Sequence, residues 1–308
     1  SMVSLGLRLI KTRKSRMKLS ITDILLFLIP SIFFTVILYI MVGWTFYISF
    51  SDWQGTAPNY NFAGLKWYQL MFKLDRFWVD IRNNIIWLLF GVGPTAIVAI
   101  FLAYILELKS TQRFETYIRN LILYPAAMSF LVTGTIWSWM YQPDKGVINT
   151  ILKWISLDFL TSNFVTDPVT ANYWLTLIFF WQYLGFSVII LQSSLRTTYL
   201  KEMVEAAAVD GASKMRILFN IVIPNIKGGI LILISLLLIS ALKVFDIVYI
   251  VTFGGPGYST DVLALFMFIA TFQQHLVAVG AGLGVIIFIM ALIIVIPYTI
   301  YAFRRWFG

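Results

Sequence analysis

The chain has 308 residues, of which 60% are hydrophobic and only 12% are charged. A soluble domain is nearer half apolar and about a quarter charged, so this composition excludes an ordinary water-soluble fold and indicates a protein whose solvent is lipid. The net charge of +9 does not indicate nucleic-acid binding, because the basic residues are clustered between long apolar runs. The absence of cysteine excludes disulfides, thiolate metal sites and cysteine catalysis.

Six apolar segments can cross a bilayer, which requires about 20 residues each. The predicted spans are 24–50, 85–106, 121–141, 173–195, 229–252 and 277–303. The first is interpreted as a retained span, because signal peptides have shorter apolar cores. The apolar stretch 262–303 is too long for one span and barely long enough for two spans. We therefore predict that 262–275 is a separate helix that lies at the outer face or partly re-enters the membrane.

The distribution of lysine and arginine predicts the orientation of these spans. With six spans and the N-terminus inside, the inner segments hold 16 of the 23 basic residues. Basic residues gather on the cytoplasmic side, so both termini, including segment 1–22, are predicted to be cytoplasmic. The outer loops are too short for an independent domain, which leaves a single transmembrane domain over 1–308 with a six-span core over 24–303.

The segment between the fourth and fifth predicted spans, 199–224, is polar and carries local structure signals. Its first half, 201–209, favours helix through alanine, glutamate and methionine. Gly211 permits a left-handed turn, and 212–223 can form a second short helix that Pro224 limits. The pattern predicts a cytoplasmic helix–turn–helix. Composition alone is equally consistent with an ordinary alanine-rich loop.

The spacing in this segment resembles the EAA loop of the binding-protein-dependent ABC importer permeases. That pattern runs Glu-Ala-Ala, three residues, Gly, nine residues, then Ile, any residue, Leu and Pro; here Ile223 stands in the leucine place. Thr198 stands where related sequences often have proline. In that family the loop docks into a groove of the ATPase subunit and transmits its closure to the spans. The resemblance implies these coupling residues: Glu205, Ala206, Ala207, Asp210, Gly211, Ile221 and Pro224.

The resemblance extends over about 23–305. Phe245-Asp246, followed by Thr-Phe-Gly-Gly-Pro-Gly-Tyr-Ser-Thr at 252–260, is similar to the outer end of span five in the carbohydrate branch, which includes maltose, glycerol-phosphate and trehalose importers. It implies the all-α type I ABC importer permease fold in its compact six-span form, in the cell membrane. It also implies a second permease subunit of different sequence, two ATP-binding-cassette subunits that bind ATP and Mg²⁺, and an extracytoplasmic sugar-binding protein.

Polar residues within the predicted spans are candidates for a substrate pathway, because a charge at the bilayer centre costs at least about 2.5 kcal/mol. Lys243 and Asp246 are three apart and would share a helical face. The favoured alternative is that they pair with each other or reach the interface without touching substrate. Hydrogen-bonding and aromatic groups together suit a sugar, although aromatics at this density are common packing residues. The candidates are Asn84, Gln182, Tyr183, Lys243, Phe245, Asp246 and Tyr249.

The sequence does not predict an enzyme or a cofactor within this chain. It has no Gly-x-x-x-x-Gly-Lys-Ser/Thr run for ATP, and one histidine with no cysteine argues against a metal site. The energy for transport must then come from a partner. The alternatives are an ABC importer permease for another solute class, an ion-gradient-driven secondary transporter, which often shows two related halves, and a membrane scaffold that moves nothing.

Overall fold

The computed structural model describes residues 21–109, 112–196 and 198–307, and most of this chain is helical. The predicted all-α fold is confirmed: within the described residues, β-structure is limited to an isolated bridge between Ser51 and Phe62. In chain order the α-helices are α1 Ile21–Ser49, α2 Lys66–Phe72, α3 Asp75–Ile86, α4 Gly93–Lys109, α5 Gln112–Ala127, α6 Phe130–Met140, α7 Val147–Trp154, α8 Ala171–Leu195, α9 Thr198–Val209, α10 Lys214–Ile217, α11 Ile223–Asn225, α12 Lys227–Leu242, α13 Asp246–Val251, α14 Leu263–Phe268 and α15 Val277–Phe307. Wider π-helical turns lead from α3 to α4 (Trp87–Val92), from α10 to α11 (Leu218–Val222) and out of α14 (Ile269–Gln273).

The chain divides into two compact units, one that ends at Tyr47 and one that begins at Ile48. In the first unit, the side chains of α1 are exposed on every side from Leu28 to Met41. A helix that is apolar all round is typical of a membrane span. The 22-residue segment from Leu28 to Ser49 is long enough to cross a bilayer. The single transmembrane domain over 1–308 stays a prediction, and segment 1–20 lies outside the described residues.

In the second unit, three continuous helices are long and apolar enough to span a membrane: Asp75–Glu107, Ala171–Leu195 and Val277–Arg304. Two further pairs of helices qualify only as bent spans. Thr116–Ala127 and Phe130–Met140 meet at 99°, and Lys214–Asn225 and Lys227–Leu242 meet at 78°. With α1, this gives four continuous spans, or six when each bent pair is one span, which agrees with the predicted number.

The second and fifth spans differ from their predicted limits. The second begins at Asp75 rather than near residue 85, because charged side chains in its first turns lower the local hydropathy without ending the helix. The fifth, predicted to be continuous over 229–252, is interrupted: α12 ends at Leu242 and α13 begins at Asp246. Between them Phe245 has φ −140° and ψ −58°, which lies outside the helical region.

The predicted separation of 262–275 from the last span is confirmed. The helix that begins with α14 continues through its π-helical turn to Gln273, and α15 begins at Val277. His275, between them, has φ +55°, a conformation that interrupts a right-handed helix. Where 262–275 lies relative to the bilayer stays a prediction.

The core of the second unit surrounds α8, which packs against α4, α5 and α12. Its buried side chains include Leu175, Ile178, Phe179 and Leu191. Gly185 lies where α8 meets α5 so closely that a Cβ atom would collide with the backbone carbonyl of Ile122. Small residues permit such close contact between membrane helices.

We expect Gly185→Ala to lower the free energy of unfolding by about 1–3 kcal/mol, because the added methyl group forces two helix backbones apart. The midpoint of thermal unfolding of the detergent-purified chain measures this effect. Gly93→Ala is the matched control, because Gly93 is helical and no atom would lie within 4 Å of its Cβ. Equal midpoints for the two variants would show that the contact at Gly185 contributes nothing.

Candidate functional site

A cavity of about 220 Å³ lies among α6, α8 and the break between α12 and α13. Its polar lining comes from Tyr183, Ser240, Lys243 and Asp246. The remaining walls are apolar and largely aromatic, formed by Phe130, Phe179, Val244, Phe245 and Ile247. Polar groups held among aromatic rings are typical of a small-molecule site.

The break in the fifth span determines how Lys243 and Asp246 face this cavity. Lys243 caps the end of α12, whereas Asp246 is the first residue of α13. The prediction that they share a continuous helical face is wrong, because the helix stops between them. Both side chains are exposed, and no ion pair joins them in the described part of the chain. Their charges are therefore available to a molecule in the cavity.

Aromatic rings connect the cavity to its surroundings. The ring centroids of Tyr183 and Phe179 are 4.3 Å apart, and the Tyr183 hydroxyl bonds with the Ser240 side chain. Phe245 stacks on Tyr249 with centroids 5.1 Å apart. The structure thus places Tyr249 behind Phe245, beside the cavity and outside its lining.

Asn84 and Gln182 are buried, and the protein itself uses their hydrogen-bonding groups. Gln182 accepts a bond from Thr133 Oγ1 at 2.5 Å and donates to the Met128 carbonyl at 3.0 Å. Asn84 donates to the Leu242 carbonyl at 3.2 Å and accepts from the Leu263 backbone N–H at 3.1 Å. Each amide satisfies backbone groups at a helix end, as lipid requires. Both residues support the breaks that border the cavity, and neither is part of its lining.

Sequence reasoning missed a buried ion pair between Arg76 and Asp261. Arg76 Nε donates to Asp261 Oδ2 at 2.6 Å, and its guanidinium lies 4.2 Å from the ring centre of Phe266 and 4.6 Å from that of Tyr258. Burial raises the pKa of the Asp261 carboxyl, and the Arg76 guanidinium opposes that rise. The partners are 185 residues apart, so no local pattern identifies them.

Asp80 adds a second buried carboxyl group to this cluster. It lies one helical turn after Arg76, within electrostatic range of both Arg76 and Asp261, and is fully buried. Neither of its carboxylate oxygens accepts a hydrogen bond from any residue that the structure describes. The cluster therefore holds two buried acidic side chains beside a single guanidinium.

We expect Arg76→Met to lower the free energy of unfolding by about 3–5 kcal/mol, because it leaves the buried carboxylate of Asp261 without a cation. Asp80→Asn should unfold at or above the parent temperature, because it removes a buried carboxyl group whose oxygens accept no hydrogen bond from the described residues. Thermal unfolding in detergent compares them. Arg82→Met is the control, since Arg82 is exposed on the same helix. If Arg76→Met were as stable as Arg82→Met, the ion pair would make no contribution to the free energy of unfolding.

The segment predicted to couple to a partner forms a helix–turn–helix. The predicted helix over 201–209 is part of α9, and Gly211 has φ +76°, which confirms the predicted left-handed turn. The Gly211 N–H donates to the Ala208 carbonyl and the Ala212 N–H to the Ala207 carbonyl, which is the Schellman arrangement. Ser213 Oγ then accepts from the Arg216 N–H and begins α10.

The second helix of this pair is as long as predicted but lies two residues later in the chain. It begins at Lys214 rather than at residue 212, passes through the π-helical turn and continues beyond Pro224 to Asn225. Pro224 lies where the π-helical turn passes into α11, and the helix ends one residue later, at Asn225.

One face of the helix–turn–helix is buried and the other is exposed. The buried face includes Leu200, Val204 and Leu218, and the Tyr104 hydroxyl bonds to the Lys214 carbonyl at 2.8 Å. The exposed face carries the residues named by the resemblance, Glu205, Ala206, Asp210, Gly211 and Pro224, with Ala207 and Ile221 partly buried. Large apolar side chains lie beside them: Val209, Met215 and Phe219. We call this exposed face, from Glu205 to Pro224, the coupling face.

The fold and site define a polytopic helical membrane protein with a cavity between its spans and an exposed helix–turn–helix. The chain belongs to the family of binding-protein-dependent transport system inner membrane components, whose family model matches residues 94–307.

Known relatives cover nearly the whole chain. A "Probable ABC transporter permease protein" of Pyrococcus horikoshii is 39% identical over 282 residues, which is 91% of this chain and 96% of that protein. The xylose/arabinose import permease of Haloferax volcanii is 28% identical, covering 90% of this chain and 86% of its own length. The glucose import system permease of Saccharolobus solfataricus is 26% identical, with coverages of 90% and 95%.

A solved structure shares the fold. It is a bacterial alginate ABC transporter in complex with an alginate pentasaccharide-bound periplasmic protein, and one of its chains superimposes with a TM-score of 0.76. The sequence identity is 22%, and the match covers 93% of this chain and 96% of that one. At this identity the similarity shows the fold alone.

Proposed function

We propose that this chain is the permease subunit of an ATP-driven importer and forms half of the pathway for a sugar that an external binding protein delivers. The observation that supports this proposal most directly is the coupling face. This chain has no ATP-binding motif of its own, and the coupling face is an ordered, exposed surface on which an ATPase partner could dock. The xylose/arabinose and glucose permeases among its relatives support a sugar as the solute.

The coupling face suits a rigid mechanical contact. Its turn is fixed by the Schellman hydrogen bonds and the serine cap, and α9 continues almost directly from α8. Arg196, at the junction, pairs with Glu107 of α4 at 3.2 Å. A displacement of this face would therefore move α8 and α4 together, because packed helices move as rigid bodies.

The proposed cycle assigns the remaining steps to partners. Two ATP-binding-cassette subunits bind ATP and Mg²⁺ in the cytoplasm, and ATP binding closes the two subunits on each other. Their closure draws together the coupling faces of this chain and of a second, different permease. The pathway between the two permeases then opens outward to the binding protein and returns inward after hydrolysis. In this cycle both termini and the coupling face lie in the cytoplasm, which agrees with the concentration of basic residues in these segments.

We expect Glu205→Ala and Gly211→Val to abolish co-purification of ATPase activity and ATP-dependent uptake in proteoliposomes. The first removes a charge from the coupling face; the second forces a β-branched residue into a left-handed conformation. Glu202→Ala is the control, one turn earlier on the same helix and also exposed. Full association in both variants, or uptake driven by an ion gradient without ATP, would contradict the proposal.

The cavity suits a sugar because its polar groups lie among aromatic rings. Lys243 and Asp246 supply a donor and an acceptor, and the Tyr183 hydroxyl can do either. The rings of Phe130 and Phe245 provide apolar surface for the carbon face of a sugar ring.

We expect Asp246→Asn to lower the maximal ATP-dependent uptake rate about tenfold, because a hydrogen bond to a charged group contributes about 1.5–3 kcal/mol. Uptake of labelled glucose, xylose, arabinose and alginate oligosaccharides by the assembled importer measures the rate at saturating binding protein. Association with the ATPase should be unchanged. The control is Asp158→Asn, which changes an exposed carboxylate in the short 3₁₀ turn that follows α7. Equal uptake rates in both variants would show that Asp246 does not contribute to the substrate pathway.

A further inference from the structure

The helix α7, between the spans α6 and α8, has one exposed apolar face and one packed face. Val147, Ile151 and Trp154 recur at helical spacing, with 51%, 51% and 86% of their surface exposed. On the opposite side Ile148 and Leu152 pack against the core. A surface helix normally buries its apolar side chains and exposes its polar ones, so the exposed face requires a covering partner.

The apolar surface continues beyond the helix. Ile155, Phe159 and Leu160 follow with 48%, 80% and 49% of their surface exposed. We call Val147, Ile151, Trp154, Ile155, Phe159 and Leu160 together the α7 face. Lys153 lies beside Trp154 and is exposed.

The start of α7 is held directly against the end of α6. A Cβ atom at Gly146 would lie 2.6 Å from the Met140 carbonyl oxygen and would collide with the carbonyl of Gln142. Met140 ends the second half of a bent span. The α7 face therefore begins at the level where a span leaves the bilayer, and only glycine allows this approach.

A buried asparagine fixes the other side of α7. Asn149 donates to the carbonyls of Pro143 and Ser162, each at 2.9 Å, and accepts from the Ser162 N–H at 3.2 Å. All three bonds tie the helix to the loops before and after it. The α7 face consequently cannot rotate inward to join the core.

We propose that the α7 face lies in the headgroup region of the bilayer, as an interfacial helix that anchors the segment between α6 and α8. Its tryptophan with an adjacent lysine, at the end of a span, is the composition that this region favours. A surface that binds a soluble protein reversibly must stay hydrated when that protein leaves, and six exposed apolar side chains are unsuited to that. The proposal depends on the membrane-spanning fold and is independent of the transported solute.

Site-directed spin labelling tests this placement, because the chain has no native cysteine. Single variants Ile151→Cys and Trp154→Cys report on the α7 face. Lys153→Cys and Lys145→Cys are the controls, one beside Trp154 and one in the preceding loop, both exposed. Each labelled chain is reconstituted into phosphatidylcholine–phosphatidylglycerol vesicles. Relaxation by oxygen, which concentrates in lipid, is compared with relaxation by a water-soluble nickel chelate.

The two positions on the α7 face should be more accessible to oxygen than to nickel, and the control positions should show the inverse ratio. Nickel accessibility at Ile151→Cys and Trp154→Cys equal to that of the controls would place the face in water and overturn the proposal. Shielding from both reagents would show that protein covers the face, and would overturn it as well. The ordered spectrum at Lys153→Cys verifies in the same samples that α7 is folded.

Discussion

The structure depends on one constraint: a chain in lipid has to satisfy every backbone hydrogen-bonding group from within the protein. Straight helices meet it by themselves, but this chain interrupts its spans after Ala127 and after Leu242. At these interruptions, buried side-chain amides replace the missing backbone partners. Gln182 bonds to the Met128 carbonyl, and Asn84 joins the Leu242 carbonyl to the Leu263 N–H. These few bonds permit a cavity in what would otherwise be a closed bundle.

The interruptions also explain how the cavity relates to the coupling face. Phe130 begins α6 after the first interruption, and Lys243 and Asp246 flank the second, so the cavity lies where the two meet. Helix α8 carries Tyr183 in the cavity wall and continues toward the helix–turn–helix, which the bond from Tyr104 to Lys214 holds against α4. One rigid helix thus connects the two features that the proposed function requires.

The sequence predicted the features that have local signals. The spans follow from hydropathy, the left-handed turn at Gly211 from a single residue type, and the separate helix over 262–275 from excess length. It did not predict the interruption at 243–245, because Lys243, Val244 and Phe245 include neither the proline nor the glycine that usually marks a helix end. Nor did it identify the Arg76–Asp261 pair or the supporting roles of Asn84 and Gln182, because each joins residues tens to hundreds apart in sequence. Polar residues within a span can be recognised from the sequence, but only their contacts distinguish a residue that lines the cavity from one that supports it.

The central claim is that the coupling face meets an ATP-hydrolysing subunit on the cytoplasmic side of the membrane. Single-cysteine variants at Val209 and Val169, both strongly exposed, can be treated with a membrane-impermeant maleimide on intact cells. The account predicts labelling at Val169→Cys alone, with Val209→Cys labelled only after permeabilisation and protected when the ATPase subunit is bound. Labelling of Val209→Cys on intact cells, or labelling after permeabilisation that the bound ATPase does not reduce, would contradict it.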